Sequence, residues 1–210
     1  MYIPKNFAFN DQEQLLEFLK ANSFGLIVNG DAQMTPIATH LPFTVEHASE
    51  RLVLKSHFAK ANNQWKSIEE KRVLVVFSGP HAYISPKNYE KTESVPTWNY
   101  VSVHVYGTVS LIWEREEILD VLTATINFYE KDYNEQWKTL PKEYIDRMVK
   151  GIVAFKLDVQ EIQGVKKLSQ NKTLTEQKRI INDLAGHNDV NDQALAWLMQ
   201  KELQVSDDLK

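Results

Sequence analysis

From Tyr100 to Trp113 the chain changes character at almost every step. Val101, Val103, Val105, Val109 and Leu111 fall on one side, and Tyr100, Ser102, His104, Tyr106 and Thr108 on the other. Successive side chains of a strand point to opposite faces, so a period of two over this length predicts one long strand with a buried and a wetter side. Clean alternation of this kind belongs to antiparallel sheets, and the chain supplies the neighbours. Residues 24–29, 33–43, 51–57 and 152–162 read as further strands, with a turn at Gly30-Asp31. The run from Val73 to Phe77 is continuously apolar, as expected of a strand covered on both faces. Residues 79–96 carry Pro80, Pro86 and Pro96 and read as an ordered loop.

Helical periodicity fills the remainder. A helix over 11–21 has Leu15, Leu16, Phe18 and Leu19 as its apolar stripe, with Asn10 and Glu13 at capping-box spacing. Ile118, Leu119, Leu122, Ile126 and Tyr129 mark a second helix. Tyr144, Ile145, Met148 and Val149 mark a third, which starts near Pro141 and stops at Gly151. Thr173 and Glu176 form another capping box, Gly186 ends that helix, and a last one runs over 192–203. Strands followed by helices, without βα alternation, predict an α+β fold with a mainly antiparallel sheet.

Composition then excludes several classes. The 210 residues contain no cysteine, so disulfides, thiolate metal sites and cysteine nucleophiles are ruled out. No apolar run approaches the roughly 18 residues of a membrane span, and a cytoplasmic location is the expectation. The net charge of −4 and pI near 5.9 argue against an unaided grip on DNA. The second tail helix has Lys201 against Asp192 and Glu202, a poor reader of the major groove, so an amphipathic helical hairpin is the better reading. His40, His57, His81 and His104 form no H-x-H or H-x-x-x-H pair; structural roles are expected and no metal site. There is no Walker loop, G-x-G-x-x-G, G-x-S-x-G or H-E-x-x-H, and no catalytic residue is assigned.

Five segments at strand ends stand out: THLPF from Thr39, SHFAKANNQW from Ser56, FSGPHAYISPKNY from Phe77, VPTWNY from Val95 and KKLSQNK from Lys166. Surface loops favour charged and small residues, whereas these combine Trp, Tyr, His, Asn, Gln and Pro, as a preformed ligand pocket does. Taken singly, the aromatics could equally pack a dimer interface and the amides could serve as caps and turn formers.

In this order the blocks resemble the PaiB family, described as FMN-binding negative transcriptional regulators that repress sporulation and degradative-enzyme genes. The resemblance covers residues 1–172 and implies an FMN-binding split β-barrel related to pyridoxamine 5′-phosphate oxidase, with FMN at a two-fold homodimer interface. Residues 173–210 are expected as a C-terminal helical extension packed on the same domain or dimer. By position, Ser56, His57, Lys60, Asn62 and Gln64 would hold the FMN phosphate, and Ala38, Thr39, His40, Leu41, Pro42 and Phe43 would run beside the ring. Trp98, Asn99 and Tyr100 would close the site, and Lys167, Ser169, Gln170 and Asn171 would face the ligand after the last strand. The Arg-Lys phosphate pair of the oxidase relatives is absent, leaving Lys60 as the one cation in its stretch. Besides regulator, the resemblance leaves open an FMN-dependent oxidoreductase with indirect regulatory effect, or a flavin-free dimeric interaction module.

Overall fold

The computed structural model describes residues 1–48 and 51–208. Among these residues seven strands form one sheet: β1 (Phe24–Gly30), β2 (Pro36–Pro42), β3 (Thr44–Ala48), β4 (Arg51–Ala59), β5 (Arg72–Ile84), β6 (Thr97–Ile112) and β7 (Ile152–Lys167). Their order is β2-β1-β5-β6-β7-β4-β3, with antiparallel registers that include Leu26↔Val76 and His57↔Ala154. Among the described residues six α-helices accompany them: α1 (Gln12–Ala21), α2 (Arg115–Tyr129), α3 (Tyr133–Thr139), α4 (Lys142–Val149), α5 (Leu174–Ala185) and α6 (Val190–Asp208). The α+β class with an antiparallel sheet is as expected.

The chain packs as two compact units. One comprises residues 12–77 and 103–163, the other residues 1–11, 78–102 and the segment from Gly164 onward. In the first unit the core is aromatic. Phe43 meets Phe77 and Phe155 edge-on at 5.6 and 6.1 Å, and Phe58 stacks on Phe155 at 5.1 Å. Edge-to-face geometry suits the ring quadrupoles and adds to the burial of large apolar area. In the second unit Val101, Val165 and Leu168 are buried, as are Ile180 and Leu184 of α5 and Leu195 and Met199 of α6. The Thr173–Glu176 capping box opens α5, and Gly186 caps its end.

Several expectations change in detail. Val73 to Phe77 is not covered on both faces: Val73, Val75 and Phe77 are buried, while Leu74 and Val76 are half-buried. Residues 79–84 are strand, not loop, with Ala82 and Ile84 buried and His81 and Tyr83 exposed. Proline reads as a breaker in sequence, yet a strand tolerates it where the missing N–H is not needed for pairing. The real break is the 3₁₀ turn Pro86–Asn88, where Ser85 Oγ accepts from Lys87 N at 3.3 Å. The first helix begins at Gln12, which makes Asp11 rather than Asn10 its cap position. β7 runs five residues beyond its expected end, and α6 extends at both ends. β3 and α3 carry no strong period and escape a sequence reading.

Gly107 interrupts the valine row of β6 for a physical reason. A Cβ there would lie 2.3 Å from the Asp158 carbonyl oxygen and 2.4 Å from a Leu157 methyl carbon, closer than real contacts allow. The carbonyl is backbone on β7 and cannot rotate away. Gly107→Ala is therefore expected to destabilise the fold by at least about 2 kcal/mol, read as a lower urea midpoint. An unchanged midpoint would mean that β6 and β7 separate at no cost.

Candidate functional site

β4 ends at Ala59 and the chain turns at once. Asn62 N donates to Ala59 O at 2.9 Å, and Lys60 N donates to Gly151 O at 2.8 Å. Asn62 then caps the 3₁₀ turn Asn63–Ser67, its Oδ1 accepting from Gln64 N at 3.0 Å. The expected phosphate ligands run from the end of β4 into this turn: Ser56 and His57 on the strand, Lys60 just after it, and Asn62 and Gln64 at the turn.

Their hydrogen bonds separate them into two kinds. Gln64 is buried, and its Nε2 donates to Ile27 O at 3.2 Å and Asn29 Oδ1 at 2.8 Å. Its Oε1 accepts from Thr39 Oγ1 at 2.5 Å, and that hydroxyl also accepts from Asn62 Nδ2 at 2.9 Å. Ser56 is buried and donates to Pro42 O at 2.7 Å. Gln64, Asn62 and Ser56 thus hold the turn against β1 and β2. Lys60 and His57 differ. Lys60 is exposed and forms no ion pair among the described residues. His57 Nδ1 is buried and has no hydrogen-bond partner among the described residues. Sequence reading missed Asn29 and Ser67, which join the network through a 2.9 Å bond; a polar residue inside the apolar run of β1 was the available signal.

β2 ends the sheet, so it presents main-chain donors and acceptors that β1 does not use. Ala38 and His40 are exposed on it, and the His40 ring stacks on exposed Phe24 at 5.6 Å and 20°. Leu41 and Phe43 are buried, with Phe43 fully engaged in the core. The end strand β2, tied to the segment after β4 through Thr39, together with exposed Lys60 and the unpartnered His57 Nδ1, offers groups that suit a flavin carbonyl edge and its phosphate.

The residues from the other two motifs belong to the second unit. There Asn99 is fully buried, donating to Ser169 Oγ at 2.9 Å and accepting from it at 3.2 Å. Ser169 has φ 63°, a left-handed conformation that non-glycine residues adopt at a cost. Lys167 Nζ donates to Thr97 Oγ1 at 2.5 Å. Gln170 ties the end of β7, donating to Lys166 O and accepting from Leu168 N. Asn171 is exposed and Tyr100 half-buried. Trp98 is 49% exposed and sits 5.8 Å from the His81 ring and 6.3 Å from Tyr83. The motif around Lys167 therefore interlocks strand ends, while Trp98 and Asn171 stay exposed. No group of metal-ligating side chains occurs among the described residues.

Burial pushes the pKa of His57 down, and that of His104, whose Nδ1 is likewise unpartnered, in the same direction. Both rings are favoured neutral in the fold, whereas the unfolded chain takes up protons near the ordinary value of 6.5. On acidification the unfolded state binds more protons, so stability is present above that value and falls as pH drops through it. Urea midpoints should decline between about pH 7.5 and about pH 5.5, and His57→Gln should flatten part of the slope. A midpoint independent of pH over that range would contradict this.

A family model described as "Putative FMN-binding domain" matches residues 1–161. The "Protease synthase and sporulation protein PAI 2" of Bacillus subtilis is 41% identical over 207 residues, covering 97% of this chain and 99% of its own length. Among solved structures, the flavocytochrome Anf3 from Azotobacter vinelandii superposes with a TM-score of 0.61 at 16% identity, over 79% of this chain and 72% of that one. The FAD and heme binding protein from Mycobacterium smegmatis gives 0.61 at 11% identity, over 81% and 78%. At such identities the likeness is one of fold, the open split barrel. With a family model across three-quarters of its length and a relative matched almost end to end, the chain belongs to the PaiB family of FMN-binding split-barrel proteins.

Proposed function

We propose that the protein is an FMN-binding regulator of PaiB type, a cytoplasmic homodimer that holds the flavin phosphate at the turn after β4. The observation that carries the reading is the pair Lys60 and His57, an exposed cation and an imidazole with an unpartnered nitrogen, in the segment that Asn62 and Gln64 tie to β2. The ammonium would bind the phosphate dianion directly, and His57 would offer a neutral N–H. Residues 38–43 would line the ring edge with main-chain groups. FMN, when bound, supplies the redox chemistry, and these residues bind and orient it.

A homodimer is supported by the outer side of β1 and β5. Phe24 is 64% exposed, and Leu26, Val28, Leu74 and Val76 continue from it in paired register as a half-buried apolar strip. Contiguous apolar surface of this kind marks an association site. Regulation without direct DNA reading is supported by the net charge of −4 and by α6, whose Lys201 stands against Asp192 and Glu202. Repression would then run through flavin state or a protein partner.

Two measurements test the reading. Lys60→Ala should weaken FMN binding by about 1–3 kcal/mol through the lost charge-assisted bond and leave riboflavin, which has no phosphate, nearly unaffected. Equal weakening of both would make Lys60 a structural residue. Light scattering at micromolar concentration should give twice the 24.3 kDa chain mass, and Val28→Glu should reduce it to one chain. A monomeric unsubstituted protein would remove the dimer.

A further inference from the structure

We infer that Trp65 is a positioning residue for the phosphate grip, holding the Lys60 peptide in place; this rests on the assignment of Lys60 to the FMN phosphate. Lys60 lies between a strand end and a 3₁₀ turn, where a main chain would ordinarily be free to shift. Here it is fixed on both sides. Its N–H donates to Gly151 O at 2.8 Å, and its C=O accepts from Trp65 Nε1 at 3.0 Å. The two bonds run to opposite ends of one residue, so the Lys60 Cα keeps its place while the side chain stays exposed.

Trp65 is itself braced. Its ring meets Trp113, just beyond the end of β6, edge-on at 6.0 Å and 78°, and the Lys66 ammonium lies 5.7 Å from its centroid. Trp113 is 61% exposed, so the pair contributes little to the buried core. An indole whose N–H ends on the backbone of a proposed ligand residue, and whose ring rests on a second surface indole, serves better as a brace than as core packing. Fixing a binding group in its bound position before the ligand arrives lowers the entropy lost on binding. A lysine whose main chain is already fixed loses less freedom on binding phosphate than one whose main chain must also be ordered.

Trp65→Phe keeps a ring against Trp113 and removes only the donor. Binding of FMN and riboflavin to the full-length protein would be titrated for the unsubstituted chain, Trp65→Phe, Lys60→Ala and the double variant. The expected result is a two- to tenfold (about the worth of one hydrogen bond) loss of FMN affinity in Trp65→Phe, with riboflavin unchanged. In the Lys60→Ala background the same substitution should then have no further effect on FMN, because the positioned group is gone. Equal losses for both ligands, or an undiminished loss in the double variant, would overturn the inference while leaving Lys60 as phosphate ligand. If Lys60→Ala fails to separate FMN from riboflavin, the underlying assignment falls and takes Trp65 with it. Trp65→Tyr, which restores a donor at a different reach, provides a second variant should Trp65→Phe fold poorly; recovery of FMN affinity there without a change for riboflavin supports the same conclusion, and parallel loss of both contradicts it.

Discussion

The candidate site depends on the buried amide of Gln64. Its nitrogen bonds to the Ile27 carbonyl and the Asn29 side chain, its oxygen takes the Thr39 hydroxyl, and its own backbone N–H is capped by Asn62. One side chain thereby links β1, β2 and the turn after β4. A buried amide left without partners costs about 1–3 kcal/mol for each group, so the network holds together or fails together. The Lys60 turn has a fixed place because this joint is complete. The edge strand beside it is fixed for the same reason, since Thr39 belongs to β2.

Much of the fold was readable from local periodicity. The valine row of β6, the apolar stripe of α1 and the Thr173–Glu176 cap each rest on neighbours in sequence, and the structure agrees with all three. What escaped depends on tertiary context. Residues 79–84 hold a strand through Pro80, and Gly107 is needed only because β7 passes within contact of it. α3 is seven polar-rich residues with no buried side chain, so no apolar period betrays it.

The site was legible as a set of segments but not as roles. Motif order picked out SHFAKANNQW, yet nothing in that string says that Gln64 is a buried hub while Lys60 is open to solvent. That difference is made by the hydrogen bonds to Ile27, Asn29 and Thr39, contributed from 25 to 37 positions away. Likewise Asn99, next to exposed Trp98, and Ser169, two positions before exposed Asn171, are partners of each other in the interior. Polar residues conspicuous in a sequence divide into those that lock segments together and those left open to solvent, and only the partners tell them apart.

The central claim is that this chain holds FMN through groups already in place. Titration of the purified protein with FMN, followed in the visible flavin band, tests it most directly. The account predicts saturable binding that approaches one FMN per chain, with perturbed flavin absorbance and a stronger complex than riboflavin forms. Absence of saturable binding, or no preference for FMN over riboflavin, would contradict it.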